Sequence, residues 1–207
     1  MILLNPMLKS SADLFSKQME YEKTQALISE ADRAFELIGR AIRMASYRNI
    51  QSTPGLKNTK TSKKPRVSID RSLEILKGKG YQGSDALYVR HELSDAVDFD
   101  CIGNVLTQER TKNHLAYQGF IVDRQSSIPK GIKANGGSLI CQSLDRQGRI
   151  QNTTLMNGVN SFKIEEMHLP TSNSTGSQKI YEVTLQMTDG AQLNISFERI
   201  FATRNFL

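Results

Sequence analysis

The sequence contains few of the residues that mark metal-dependent, disulfide-rich or membrane-spanning proteins. Its 207 residues include two cysteines, three histidines, five prolines and no tryptophan. Neither cysteine belongs to a C-x-x-C pair or a Cys/His cluster, which argues against a zinc site and against thioredoxin-type chemistry. No stretch approaches 18 uninterrupted apolar residues, and the opening MILLNPML lacks the basic region and cleavage site of a secretory signal. We therefore expect the chain as written to be soluble.

The positive charge of the chain is concentrated in one segment. The formal net charge is +6, and residues 51–80 carry eight basic and two acidic side chains, so the rest of the chain is neutral. A composition of 38% hydrophobic and 23% charged residues is typical of a globular protein and excludes wholesale disorder. The length allows one domain, or one domain with an extended helix.

Residues 10–48 have the spacing of a long amphipathic helix. From residue 28 onwards, the apolar positions follow one another at three and four residues, which places them on one helical stripe. This docking stripe consists of Ile28, Ala31, Phe35, Ile38, Ile42 and Ala45. The same step continued backwards gives only a weak stripe, with Leu14 and Tyr21. We expect one helix of about 35 residues and about 50 Å, whose second half docks on a core and whose first half is exposed or packed against another chain.

From residue 83 onwards the apolar spacing changes to two, the period of β-strands. Predicted strands lie at residues 87–93, 117–122, 138–143, 159–167, 181–187 and 193–197. The dipeptide Asp189-Gly190 between two alternating runs predicts a hairpin. The preceding polar and basic stretch predicts a loop, with SLEILKGKG as one or two helical turns. The chain thus divides into a helix at 1–48, a basic loop or insertion at 49–82 and an antiparallel β domain at 83–207, an α+β order.

The residues that could carry chemistry do not form a recognised catalytic or metal-binding motif. The histidines are His91, His114 and His168, and none belongs to a hydrolase, protease or metal signature. An acidic run precedes the first cysteine but does not match a calcium loop, so we expect solvated loop charge. This run contains Asp95, Asp98 and Asp100, with Glu92 nearby. We predict no catalytic residue, no metal site and no cofactor, and therefore no enzyme.

The basic segment suggests nucleic-acid binding as an alternative function. Lysine and arginine clusters neutralise phosphates and release counterions. The candidate contacts are Lys60, Lys63, Lys64 and Arg66. No aromatic residue lies between Tyr47 and Tyr81 to stack on a base. A solvated loop is the favoured interpretation, and a nucleic-acid-binding module is retained as the alternative from a different class.

The two cysteines, Cys101 and Cys141, are 40 residues apart in the sequence. Isolated cysteines stay unpaired in a reducing cytosol and pair in an oxidising compartment. The spacing alone therefore leaves both states open.

The order of several sequence blocks resembles the PilW-type minor pilins of bacterial type IV pili, which are related to the J-type minor pseudopilins of type II secretion. ADRAFELIGRAIRMASYRN at residues 31–49 resembles the end of the family's helix, and GSDALYVRHE at residues 83–92 resembles its first strand. DCIG at 100–103 and SLICQ at 138–142 are similar to the two cysteine blocks. GVNSFKIE at 158–165 and FATRN at 201–205 complete an order that covers nearly the whole chain from residue 12.

This resemblance implies a pilin-like α+β fold, a long N-terminal helix packed on an antiparallel β-sheet head domain. It implies a non-catalytic subunit that joins other minor pilins, helps to initiate pilus assembly and sits at or near the fibre tip, where a tip adhesin is a possible partner. It also implies a disulfide between Cys101 and Cys141 in the periplasm. Family members carry a leader and about 20 apolar residues that anchor them in the inner membrane. In this sequence only ILLNPML resembles the tail of that segment, so we expect the chain as given to lack the leader and the hydrophobic half of the helix. The alternative within the class is a J-type pseudopilin of type II secretion.

Overall fold

The structure is a computed structural model that describes most residues between positions 4 and 204. The described residues are 4–47, 72–94, 96–111, 115–126, 128–129, 131–132, 135–167 and 179–204. They contain one α-helix, α1, at Leu4–Met44, and nine strands. The strands are β1 Leu73–Leu76, β2 Ala86–Glu92, β3 Asp98–Phe99, β4 Val105–Leu106, β5 Leu115–Arg124, β6 Gly137–Leu144, β7 Ile150–Met167, β8 Ile180–Thr188 and β9 Asn194–Ala202.

Seven of these strands form one antiparallel sheet around the second half of α1. The strand order is β1-β2-β5-β6-β7-β8-β9, and β3 and β4 form a separate hairpin. The helix contacts β2 towards one edge of the sheet and β8 and β9 at the other edge. The helix packs against β8 because every second side chain of this strand is buried and faces the helix, while the side chains between them are half-exposed. One hydrophobic core therefore joins helix and sheet.

Strand β7 bends in the middle and gives the sheet its curvature. Its first half pairs with β6 and its second half pairs with β8, with a register shift between Val159 and Ser161. Gly158 supplies a φ of +74° at the bend, a conformation that favours glycine. The second half of β7 pairs with β8 along one edge. Along its other edge, the amide of Asp85 donates a hydrogen bond to the Phe162 carbonyl at 2.7 Å. Residues just before β2 thus close the sheet onto β7.

The carboxylate of Asp85 is buried and holds this closure together. It accepts hydrogen bonds from the amides of Gly78 at 3.0 Å and Ile164 at 3.1 Å, and from Lys77 Nζ at 3.1 Å. Burial by itself raises the pKa of Asp85, but these hydrogen bonds and the lysine charge outweigh it and hold the pKa below its ordinary value. Asp85 therefore stabilises the fold in its ionised form.

Replacing this carboxylate should weaken the fold at neutral pH and change its acid sensitivity. We expect Asp85→Asn to lower the free energy of unfolding by about 2 kcal/mol. The NH2 group of asparagine would replace one acceptor oxygen and would face N–H groups that then lack an acceptor. The folded pKa lies below the unfolded one, so the contribution is complete above about pH 4 and is lost as the pH falls through the folded pKa. Urea titrations at several pH values should show the difference between wild type and variant shrinking below about pH 4. A difference that stays constant down to that range would contradict the assignment.

The observed architecture corrects the predicted fold class. The α+β, pilin-like class is wrong, because the structure is a helix-plus-sheet arrangement of one N-terminal helix and one seven-stranded antiparallel sheet. The sheet takes its edge strand β1 from residues that were assigned to a basic loop with one or two helical turns. Leu73 and Ile75 carry no helical signal strong enough to compete with pairing to Val89 and Leu87 on β2. The helix also spans residues 4–44 rather than 10–48.

Candidate assembly surface on the first helix

The first half of α1 projects beyond the sheet. Every residue from 9 to 23 is exposed, and Leu27 is the first buried side chain after them. The ion pair between Lys23 Nζ and Asp189 Oδ2, at 3.5 Å, marks the level at which the helix leaves the sheet. At 1.5 Å per residue, the part from residue 4 to residue 23 is roughly 30 Å long.

Four large apolar side chains on this projecting half are more than half exposed. Their exposed fractions are Leu14 66%, Phe15 67%, Met19 57% and Tyr21 65%. Helices that lack tertiary packing are marginal in water, and clusters of exposed apolar side chains usually mark interaction sites. The projecting half-helix is therefore the part of the described structure that most needs a partner.

The docking stripe lies where the second half of α1 enters the core. The structure buries Ala31, Phe35, Ile38, Ile42 and Ala45, and leaves Ile28 half-buried at the rim.

Contacts with β9 fix the rotation of the helix on the sheet. The Phe35 and Phe201 rings lie 6.3 Å apart, and the Arg199 guanidinium lies 5.2 Å from the centre of the Phe35 ring. Arg199 also pairs with Asp32 at 2.7 Å. Gly39 lies directly under the Phe201 ring, where a Cβ atom would overlap the ring. The helical spacing predicted the stripe, but it could not predict these partners because they come from the far end of the chain.

A disulfide joins Cys101 and Cys141, with a Cα–Cα distance of 6.2 Å. Both residues are buried. Cys101 follows β3 and Cys141 lies in the middle of β6, so the bond fixes the β3–β4 hairpin to the sheet. The disulfide is compatible with an oxidising compartment.

The acidic run before Cys101 is not solvated loop charge, and this expectation is corrected. Asp100 is completely buried and accepts hydrogen bonds from the amides of Ile102 at 3.1 Å and Asn104 at 2.7 Å. Its second oxygen is 3.4 Å from Arg110 Nη2. Asp98 accepts bonds from the Ser94 amide at 2.6 Å and the Ser94 hydroxyl at 2.8 Å. Asp100 therefore holds the turn between β3 and β4, and Asp98 holds the loop that leads into β3. No local charge pattern reveals these contacts, and Asp95 lies outside the described residues.

The one histidine in the described residues, His91, is buried in β2 beside Leu93 and Ala116. Burial lowers the pKa of His91, and the nearby Asp98 charge raises it only in part. His91 Nδ1 has no hydrogen-bond partner in the described structure. His114 and His168 lie outside the described residues.

Among the described residues, no group of three His, Cys, Asp or Glu side chains could hold a metal ion. An open cleft of about 630 Å³ lies beside the hairpin and is lined by Asn104, Val105, Thr107, Glu109, Arg110, Asp145, Arg146, Gln147 and Gln151. Two acidic side chains, Glu109 and Asp145, balance the two arginines in the lining. Asp145 also forms an ion pair with Arg149, at 2.8 Å. The cleft is a neutral polar surface.

The candidate nucleic-acid contacts Lys60, Lys63, Lys64 and Arg66 lie outside the described residues. Ser46 and Ser72, which lie on either side of residues 47–71, are in contact, because their hydroxyls are hydrogen-bonded. The Tyr47 carbonyl also accepts the Glu92 amide at 2.9 Å. Lys77, a basic residue in the described part of the segment, pairs with Asp85 at 3.1 Å and supports the fold.

Removing residues 48–71, which include most of the basic segment, should leave the fold intact. Because residues 46 and 72 are in contact, replacing residues 48–71 by a short Gly/Ser linker shortens a closed loop without pulling its ends apart. Loop-closure entropy changes only slowly with loop length, so we expect the free energy of unfolding to change by less than about 1 kcal/mol. Urea denaturation of the deletion variant measures this, and loss of the cooperative transition would show that the segment belongs to the core.

Comparison of the chain with protein-family models, with curated proteins and with solved structures finds no match. Among the described residues, no helix has an apolar stretch long enough to cross a membrane.

The sequence pattern missed two surfaces. The first is a second stripe on the projecting half-helix, formed by Phe15 and Met19 on a different side from the docking stripe. Its signal was available, because Ala12, Phe15, Met19 and Ala26 are spaced by three, four and seven residues. The second is the outer face of the β3–β4 hairpin, where Val97 and Phe99 alternate with aspartates.

Proposed function

We propose that this protein is a non-catalytic assembly subunit of the bacterial cell envelope, a minor pilin that helps to initiate type IV pilus assembly at or near the fibre tip. The observation that carries the proposal is the projecting half-helix, whose residues 9–23 are all exposed and include four large apolar side chains. A helix that is packed at one end and bare at the other is suited to join a folded body to neighbouring subunits. The proposal rests on this surface and not on a fold class.

The disulfide supports an exported location for the protein. Disulfides persist in the periplasm and outside the cell and are rare in the cytosol. Cys101 and Cys141 are both buried and 40 residues apart, so their bond constrains a large part of the chain. We place the protein in the periplasm and the pilus, with other minor pilins as partners.

Among the described residues, the acidic side chains near the two cysteines and β2 are used inside the fold. Asp85 closes the sheet onto β7, and Asp98 and Asp100 build the hairpin. Carboxylates that already accept hydrogen bonds from the chain's own amides and hydroxyls are poorly placed to act as acids or bases on a substrate. This arrangement supports a subunit that works through its surfaces.

Deleting the gene tests the proposal. We expect the number of surface pili to fall by at least tenfold and to return when the wild-type chain is supplied. A Phe15→Ser/Met19→Ser variant should fail to restore pili, whereas Ile200→Ser, at an equally exposed position on β9, should restore them. Loss of protein secretion with normal pili would support the J-type pseudopilin alternative. Normal pili and normal secretion in the deletion strain would refute both.

Nucleic-acid binding through the basic segment is the alternative proposal from a different class. Its candidate contacts are four basic side chains within 20 residues, Lys60, Lys63, Lys64 and Arg66. If the segment binds DNA, the variant that lacks residues 48–71 should lose affinity and show a smaller salt slope. An unchanged salt slope would exclude this function.

A further inference from the structure

Strand β9 forms one edge of the seven-stranded sheet, and among the described residues only β8 pairs with it. At one end of this ladder the Asp189 amide donates to the Leu193 carbonyl at 3.4 Å, and at the other end the Thr203 amide donates to the Lys179 carbonyl at 2.9 Å. Hydrogen-bonded pairs alternate along an antiparallel ladder, so the odd-numbered residues of β9 bond to β8. The even-numbered residues turn their amide and carbonyl groups away from the sheet. These residues are Asn194, Ser196, Glu198, Ile200 and Ala202.

This edge lacks the usual devices that keep an open strand from pairing with another chain. The nine residues of β9 include no proline, glycine or lysine, and the ladder to β8 has no register shift. A charge on the inner face is a further such device, but Arg199 is already paired with Asp32 at 2.7 Å. The opposite edge strand, β1, has only four residues. Strand β9 is therefore the longer row of unpaired backbone groups.

The row of unpaired groups defines the shape of its partner. Amide and carbonyl groups that recur at every second residue, about 7 Å apart, are matched group for group by another extended backbone. On the inner face of β9, Ile195, Phe197 and Phe201 are half-buried and pack against the margin of the core. A strand added at this edge extends the core if every second side chain is apolar.

The outer face of the sheet beside β9 is acidic, although the whole chain is basic. Glu165 on β7 lies directly opposite Glu182 on β8, and Glu198 on β9 lies on the same face. Like charges directly opposite each other destabilise a sheet. Lys163 also lies on this face, but its Nζ is 3.7 Å from Asp85 Oδ1 and is engaged there. A lysine or arginine on the outer face of an added strand would relieve the repulsion between the carboxylates.

We propose that β9 accepts an extended segment of another protein chain as an eighth strand, and that this segment alternates apolar with basic side chains. Its apolar side chains lie beside Phe197 on the inner face, and its basic side chains lie beside Glu198 on the outer face. The side chain of Ile200 stays in water, because the added strand lies beside β9 and not on its outer face. This inference goes beyond the proposed function and does not rest on it, since pairing at a sheet edge requires no pilus.

Amide hydrogen exchange of the purified protein with a synthetic peptide tests the pairing directly. The probe is a peptide as long as β9 in which valine and lysine alternate. In the free protein, the amides of Ser196, Glu198 and Ile200 should exchange rapidly, whereas those of Phe197 and Arg199 should be protected by β8. Saturating peptide should slow the three outward amides at least tenfold and leave the other two unchanged.

Variants at the edge separate backbone pairing from charge. Ser196→Pro removes an outward N–H and keeps the ladder to β8, so it should weaken peptide binding at least tenfold, while Ser196→Ala should bind as wild type. Glu198→Lys should weaken binding at least threefold, while Thr154→Lys, at an exposed position on the first half of β7, should bind as wild type. A peptide of alternating valine and glutamate should bind the wild type at least tenfold more weakly. Circular dichroism and urea midpoints should confirm that each variant is folded.

The outcomes are distinct from those of the pilus experiment. Slow exchange of the three outward amides in the free protein would overturn the inference, because the edge would already be covered. Absence of peptide binding, unchanged binding by Ser196→Pro and Glu198→Lys, or equal binding of the two peptides would also overturn it. Loss of pili in the deletion strain together with any of these results would leave the proposed function standing.

Discussion

Replacing Ile38 by aspartate should abolish the folded state, whereas the same replacement at Leu14 should leave it in place. Both residues lie on α1, but Ile38 is completely buried and Leu14 is 66% exposed. Ile38→Asp removes a buried aliphatic side chain, a loss of about 2–5 kcal/mol, and adds the cost of burying an unpaired charge. The sum approaches the whole stability of a typical domain, about 5–15 kcal/mol.

Urea denaturation followed by circular dichroism measures both variants. Leu14→Asp should change the free energy of unfolding by less than about 0.7 kcal/mol, the difference in helix propensity between ordinary residues. Ile38→Ala, which leaves a cavity without a charge, should retain a cooperative transition with a loss of about 3 kcal/mol. A wild-type midpoint for Ile38→Asp would show that α1 does not form the core of the sheet.

Removing the disulfide should produce the second largest loss. The bond closes a loop between residues that are 40 positions apart, which corresponds to about 4 kcal/mol if the stabilisation comes from the entropy of the unfolded chain. In Cys101→Ala/Cys141→Ala we expect a loss of this size, because the β3–β4 hairpin then lacks its covalent link to β6. The hydrogen bonds that still join the hairpin to the rest of the fold, such as the one from Gln118 Nε2 to the Phe99 carbonyl at 3.2 Å, contribute about 1 kcal/mol each and do not replace it.

The wild-type protein treated with a reductant is the matched control for this variant. Its free energy of unfolding should fall by a similar amount, and mass spectrometry of the untreated protein should show two hydrogens fewer than the reduced chain. A loss below about 1 kcal/mol in both samples would mean that the hairpin is held without the disulfide. Free thiols in protein isolated from the periplasm would contradict the proposed exported state.

The parts of the structure that could be read from the sequence are those set by local periodicity. The three- and four-residue spacing from Ile28 to Ala45 identified the face of α1 that meets the sheet. The alternation from Tyr181 to Met187 identified β8 and its inner face, and Asp189-Gly190 marks the turn into β9. These patterns repeat within a single element, so no knowledge of distant residues is needed.

The parts that could not be read depend on contacts between distant residues. The four residues of β1 become a strand only because β2 is available to pair with them. Asp85 and Asp100 look like ordinary loop charges until the amides that bind them are brought together. The curvature at Gly158 depends on β7 pairing with two different strands, so the fold class could not follow from the order of helix and strands alone.

Accessibility of the projecting half-helix in cells tests the central claim most directly. Gln18→Cys places a thiol between Phe15 and Met19 on the surface of α1 without removing either apolar side chain, and Ile200→Cys places one at an exposed position on β9. In purified, dilute protein, both thiols should react rapidly with a maleimide. In cells that assemble pili, we expect the thiol at position 18 to react at least tenfold more slowly while the thiol at position 200 stays reactive. Equal reactivity of the two positions in cells would contradict the account, because the half-helix would then have no partner.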